Sequence, residues 1–254
     1  MEEISTLASD VGGKPGVIAN IDPKTMTKIF KNQLSLIIWK YENLGLSESN
    51  TYKFLKGKII DDTWILNTST TISKVGGGEK IFNISKQINL TKNDHRVDEA
   101  FAEFDTALRL LSVKFFGSFN GVEYIPTSKQ SKTPDFMATA ESGQNVPVEV
   151  KVLSPQDSNR NKFFGKFINK VNYAKQQLEA YKSRDPSFSN GMVFVWIHQP
   201  IDRQAVGHQD YLDLENLVAN KIIPASFDLT IVVIFSNVRD LWDFYIEKQK
   251  FLAA

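Results

Sequence analysis

The chain has 254 residues, of which 42% are hydrophobic, 23% charged and 11% aromatic, a balance that excludes disordered and fibrous classes. It has no cysteine and three histidines, His95, His198 and His208. Disulfide frameworks, thiolate zinc sites, iron–sulfur clusters on cysteine and cysteine nucleophiles are therefore excluded, and a metal site must lean on oxygen donors, which suit Mg²⁺, Mn²⁺ or Ca²⁺. Thirty Lys and Arg against 29 Asp and Glu leave a formal charge of +1, which taken alone gives no sign of a nucleic-acid partner.

Residues 1 to about 20, with the run VGGKPG, read as a loose leader. They carry Glu2 and Glu3 and lack the basic and apolar regions of a signal peptide. No apolar run approaches the ~18 residues of a membrane span, so no membrane partner and a cytoplasmic setting are expected. From Pro23 to Leu44 the residues Met26, Ile29, Phe30, Leu34, Ile37, Ile38 and Tyr41 recur at helical spacing, with Asp22 as cap and Pro23 in the first turn. Residues 59–90 are rich in β-branched and aromatic side chains on either side of Gly76, Gly77 and Gly78, which predicts a hairpin with a glycine turn. Residues 1–92 are thus expected to form a small α+β region serving DNA or partner recognition or dimerisation.

A second domain is expected over residues 93–254. Asn93 or Asp94 can cap a helix from about His95 to Phe115 whose apolar face includes Ala100, Phe104, Ala107 and Leu108. Three strand-like runs follow at 121–128, 134–140 and 146–154, then a basic helix over about 162–183, a buried-type strand at 191–198, a polar helix near 210–221 and a strand at 229–236. The order is αβββαβαβ, an α/β class. The aromatic C-terminal run LWDFYIEKQKF has helix-like spacing and reads as packing.

Chemistry concentrates in TPDFMATAESGQNVPVEVKV, residues 133–152. Strand alternation puts Glu149 and Lys151 on one face. Antiparallel pairing through a turn at 141–146, with Gly143 and Asn145, brings Asp135 beside Glu149. Two carboxylates and a lysine in an otherwise apolar sheet are costly unless compensated. A hard divalent cation compensates them, held by Asp135, Glu149 and the backbone carbonyl of Val150. Such a metal polarises a phosphodiester and lowers the pKa of a bound water, with Lys151 placed to orient that water or steady the developing charge. The plain alternative is a same-face pair on an edge strand, worth about 0.2–1 kcal/mol.

With Pro134, Asp135, Glu149 and Lys151 in these places, the segment resembles the PD-(D/E)XK nucleases, the restriction-endonuclease-like superfamily. The resemblance covers about residues 95–200. It implies an αβββαβ core with a mixed β-sheet flanked by helices, and a Mg²⁺-dependent deoxyribonuclease in which Mn²⁺ can substitute, more an endonuclease than an exonuclease. Many members add an acid from the preceding helix, for which Glu103 is the choice and Glu99 the rival. His95 and Glu99 also match the HxxxE of the RecB-like branch, and QLEAY at 177–181 matches its QxxxY, nominating Gln177 and, after it, Tyr181. IPTS at 125–128 looks like archaeal Holliday-junction resolvases and adds Ser128. Restriction, defence, transposition and recombination or repair are all consistent roles, and double-strand cutting makes a homodimer reasonable.

Between Ser158 and Leu178 lie Arg160, Lys162, Lys166, Lys170 and Lys175 and no acid. Lys162, Lys166 and Lys170 fall on one helical stripe, with Phe163, Phe164, Phe167 and Tyr173 partly core by spacing. Together with Lys129 and Lys132 the stripe suits a DNA backbone. Residues 128–182 carry nine basic and five acidic side chains, so the near-neutral total hides a local basic segment. Two other readings stay open: a non-catalytic nucleic-acid-binding or assembly module retaining the nuclease fold, and an unrelated hydrolase of a small phosphorylated substrate, which needs a deep pocket. His198 and His208 have no partnering motif and read as surface or capping residues.

Overall fold

The computed structural model describes residues 22–47, 50–72, 74–76, 94–112, 118–125, 133–153, 160–198, 213, 216, 220–221, 225–236 and 242–249. The leader, Gly77, Gly78, the run 80–90, Ser128, Lys129, Lys132 and His208 lie outside them. The elements are α1 (Pro23–Asn43), α2 (Asn50–Lys58), α3 (Asp62–Ile72), β1 (Val75–Gly76), α4 (Asp94–Ser112), β2 (Phe119–Tyr124), β3 (Phe136–Ala140), β4 (Asn145–Leu153), α5 (Arg160–Lys182), β5 (Asn190–His198), β6 (Asp228–Ser236) and β7 (Trp242–Gln249). Between β5 and β6, residues 213, 216, 220 and 221 are helical.

Helix α1 begins as its sequence dictates. The Asp22 carboxylate accepts from the backbone N–H groups of Lys24 at 3.0 Å and Thr25 at 3.1 Å, and Pro23 occupies the first turn, where its missing N–H costs nothing. Met26, Phe30, Leu34, Ile37, Ile38 and Tyr41 are all buried. Past the last turn Gly45 takes a φ of 69°, the left-handed conformation that closes helices without a Cβ penalty.

The expected hairpin over 59–90 is corrected in its first half: Asp62–Ile72 is the helix α3. Asp61 caps it through the N–H of Trp64 at 2.9 Å, and Ile65, Thr68 and Ser69 are buried at helical spacing. The hydroxyls of Thr70 and Thr71 donate to the carbonyls of Leu66 and Asn67, four residues back. The β-branched residues are thus satisfied inside a helix, and tertiary packing overrides their strand preference. The C-terminal run is likewise corrected, because Trp242–Gln249 forms a strand antiparallel to β6; an apolar run of that length is compatible with either element.

Among the described residues, seven strands form one mixed sheet in the order β1-β2-β3-β4-β5-β6-β7. Strands β2, β3 and β4 form an antiparallel meander, β4, β5 and β6 run parallel, and β7 returns antiparallel. The β3–β4 turn uses Gly143 at φ 82°, with Ala140 and Gly143 closing it by backbone hydrogen bonds of 2.8 Å. The parallel pair β4 and β5 is joined by α5, as a parallel connection requires.

Both faces of the sheet are covered. On one, Val148, Val150, Val152, Phe194 and Trp196 share a core with residues of α1, α3 and α4. On the other, Val193, Val195, Ile197, Ile231 and Val233 pack on Phe167, Val171, Ala174 and Leu178 of α5. Phe30 ties the N-terminal helices to the sheet layer, its ring centroid 5.7 Å from both Trp64 of α3 and Phe104 of α4. No described helix is long and apolar enough to cross a membrane.

Because α1 and α3 share one core with α4 and the sheet, Phe30→Ala should lower the unfolding free energy by about 3–5 kcal/mol while unfolding stays a single transition. Urea denaturation followed by tryptophan fluorescence and by far-ultraviolet circular dichroism checks this. Separate transitions for the two probes in the wild type would refute the shared core.

Candidate active site

The β3–β4 ladder stops at Phe136↔Val148, yet β4 runs on to Leu153, and among the described residues its last five pair only with β5. The other edge of this stretch needs a hydrogen-bond partner, and Asp135, one residue before β3, supplies it. One carboxylate oxygen of Asp135 accepts from the Val150 N–H at 2.7 Å, and the Asp135 N–H donates to the Val148 carbonyl at 3.0 Å. The N–H and C=O of one strand residue leave the strand on the same side, so the Val150 carbonyl faces this edge as well.

Glu149 and Lys151 lie on the α5 face of β4, alternating with Val148, Val150 and Val152 on the opposite face, as the spacing predicts. Glu149 is 1% exposed. One of its oxygens accepts from Lys151 Nζ, and Oε2 is buried with no hydrogen-bond partner. Burial, and next the negative charge of Asp135, push the Glu149 carboxyl from its ordinary value near 4.5 up to about 8, against the opposing pull of Lys151. The Lys151 ammonium also lies 5.7 Å from the ring centroid of Tyr173 on α5.

A cleft of about 190 Å³ opens at this edge between α4 and α5. Glu99 and Glu103 line it from α4, Asp135, Val150, Lys151 and Val152 from the strands, and Lys170 and Tyr173 from α5. Both acids considered for the helix are therefore present, with no choice between them. Tyr124 on β2, paired with Phe136, is a neighbour that the sequence reading missed. Burial first, then the charges of Glu103 and Asp135, raise its hydroxyl well above the usual tyrosine value.

Other nominated residues fall elsewhere. Gln177 does not line the cleft; its Oε1 is buried without a hydrogen-bond partner. Tyr181 packs on Phe188, with ring centroids 6.0 Å apart. Lys162 and Lys166 are exposed along α5, while Arg160 opens the helix with its side chain outside the described set. Lys175, a basic residue of this segment outside the stripe, is buried, its Nζ 3.5 Å from Glu179. Tyr173 leaves the expected core, being 46% exposed. The signal for it was present, since Tyr173 stands three residues after Lys170 and continues the lysine stripe.

The donors on this edge are hard oxygens, and an orphaned buried carboxylate oxygen suits a cation. No group of three or more His, Cys, Asp or Glu arranged to hold a metal occurs among the described residues. Asp135, Glu149 and the Val150 carbonyl are the oxygens on this edge that could hold a hard cation such as Mg²⁺, which keeps several waters of its own. Compared with protein-family models, curated proteins and solved structures, the chain matches none of them.

The buried Glu149 makes stability depend on pH. Between about 4.5 and about 8 the folded chain holds a proton there that the unfolded chain has released, so metal-free stability is full below that window and declines as pH rises through it. Glu149→Gln cannot ionise and should flatten the decline by at least about 1 kcal/mol. Urea midpoints at about pH 5 and about pH 9 measure it; parallel pH profiles for the two proteins would contradict the assignment.

Proposed function

We propose that the chain is a metal-dependent nuclease of the PD-(D/E)XK, restriction-endonuclease-like type that hydrolyses phosphodiester bonds of DNA. The observation that carries this reading is the convergence of Asp135, Glu149 and Lys151 on the stretch of β4 beyond its β3 ladder, with Glu149 buried behind Lys151 and with Asp135 and Lys151 lining a cleft that Lys170 enters from α5. The order α4-β2-β3-β4-α5-β5, an antiparallel meander followed by a helical crossover to a parallel strand, supports the corresponding αβββαβ core.

Asp135, Glu149 and the Val150 carbonyl would hold Mg²⁺, or Mn²⁺ in its place. The cation, when bound, supplies charge neutralisation at the phosphate and a more acidic water. The chain's own residues do the rest. Val150 N–H fixes the Asp135 carboxylate, so the acid meets the substrate already oriented. Lys151, 15% exposed at its side chain, donates to a phosphate oxygen and steadies the charge that gathers there as water attacks. Glu99 and Glu103 on the facing wall add acceptors for cation-bound waters, and the α5 lysines hold the substrate backbone.

Plasmid and linear DNA incubated with Mg²⁺ should be cut by the wild type. Asp135→Ala and Lys151→Ala should lower the rate by at least about 100-fold, and EDTA should abolish it. Since Glu149 must lose its proton to take the cation, cleavage at limiting Mg²⁺ should rise with pH and level off above about 8. Equal cleavage by wild type and Asp135→Ala would overturn the reading. DNA binding with a steep salt dependence and no cleavage by any variant would put a non-catalytic nucleic-acid module in its place.

A further inference from the structure

The two walls of the cleft carry opposite charge. Helix α4 presents Glu99 and Glu103, and α5 presents Lys170 and Tyr173. Away from the cleft the α5 wall continues through Lys166 and Lys162. Successive members of this lysine row are four residues apart, a rise of about 6 Å along the helix, comparable with the step between successive phosphates of an extended strand. A nucleic-acid backbone therefore fits along α5. The acidic α4 wall disfavours a second backbone across the same opening, because like charges repel most strongly where water is scarce.

Tyr173 stands where this row meets the reacting groups. Half-exposed aromatic residues on α5 have a packing role open to them, and Phe163, Phe164 and Tyr181 take it, lying against the core under the helix. Tyr173 does not join that core and is 46% exposed. Its ring is 5.7 Å from the Lys151 ammonium and leaves ample surface to the cleft. An aromatic face beside a row of cations is the combination that binds unpaired nucleotides, with charge tracking the backbone and the ring stacking a base. Paired bases within a duplex are stacked on each other and cannot reach such a ring.

We infer that α5 is the track of a single DNA strand: Lys162, Lys166 and Lys170 take successive phosphates, and Tyr173 stacks the base beside the phosphate that reaches Lys151. The inference rests on the nucleic-acid reading of the cleft and adds its preferred substrate class, single-stranded or unpaired DNA over the duplex. Tyr173 is a stacking residue, and its phenolic hydroxyl is dispensable for that purpose.

Binding measured in EDTA separates this from cleavage. Fluorescence anisotropy of a labelled oligo-dT and of a duplex of equal length should show the full chain binding the single strand more tightly. Tyr173→Leu should weaken single-strand binding about tenfold or more and leave duplex binding within about twofold, while Tyr173→Phe should bind as the wild type does. Lys162→Ala and Lys166→Ala should each lower the salt slope by about one. A strand with 2-aminopurine should be quenched on binding wild type and Tyr173→Phe, and not on binding Tyr173→Leu. Equal affinity for single strand and duplex, or equal weakening of both by Tyr173→Leu, would overturn the inference. Single-strand binding as described with no Mg²⁺-dependent cleavage would keep the track and discard the nuclease; cleavage with duplex preferred would do the reverse.

Discussion

A strand in the middle of a sheet has to satisfy its backbone on both edges, and β4 does so by two different means. Up to Val148 its outer edge is paired with β3. Beyond it, the carboxylate of Asp135 takes the Val150 N–H at 2.7 Å, so a side chain replaces the next rung of the ladder. That one substitution of carboxylate for carbonyl delays the start of β3, leaves room for the cleft between α4 and α5, and brings a negative charge to the place where Glu149 is already buried. Removing the Asp135 carboxylate leaves a backbone donor without its partner as well as a site without its acid, so stability and chemistry draw on the same bond.

Glu149 is the cost of this arrangement. A carboxylate 1% exposed, beside another acid and with one oxygen unpartnered, has chiefly Lys151, and after it the Asp135 backbone N–H, to oppose the loss of water, and the opposition is incomplete, since its carboxyl is pushed up to about 8. A sheet selected for stability alone would carry valine there, as the β5 neighbours Val193 and Val195 do. Buried groups with strongly displaced protonation cluster where chemistry is done. The strain is local, because Val148, Val150 and Val152 on the other face of β4 pack in the main core and hold the strand whatever the protonation of Glu149.

How much of this was legible from the residues follows from the range of the forces involved. Asp22 before Pro23, the alternation Glu149-Val150-Lys151 and the glycine of the β3–β4 turn are local signals, and they place α1, the acid–lysine face and the meander directly. Strand alternation and the turn at 141–146 anticipate Asp135, Glu149 and Lys151 meeting at one place in the sheet. What depends on distant partners was not legible. The Thr-rich run of α3 reads as strand because its intrinsic preference is for strand, and only the apolar stripe received by α1 makes it a helix. On α5, Tyr173 and Tyr181 have the same chemistry eight residues apart. What divides them is that Phe188 lies under Tyr181 and the cleft lies beside Tyr173, which no spacing along one helix can specify.

The same dependence on distant partners gives the N-terminal helices a part in the site. Glu99 and Glu103 reach the cleft only if α4 keeps its rotation about its own axis, and α4 is held from both sides. Towards the sheet, Thr106 accepts from the Trp196 indole N–H at 2.9 Å in a buried hydrogen bond, and the guanidinium of Arg109, paired with Asp105 at 2.8 Å, lies 5.6 Å over the same indole. Away from the sheet, Phe104 meets Phe30 of α1, which in turn meets Trp64 of α3. A turn of α4 that carried the two acids out of the cleft would have to break the Trp196 hydrogen bond and part Phe104 from Phe30 together. Helices α1 and α3 are therefore not an appendage to the sheet; through Phe30 they fix the acidic wall opposite the lysine row, and the geometry of the cleft depends on them as much as on β4.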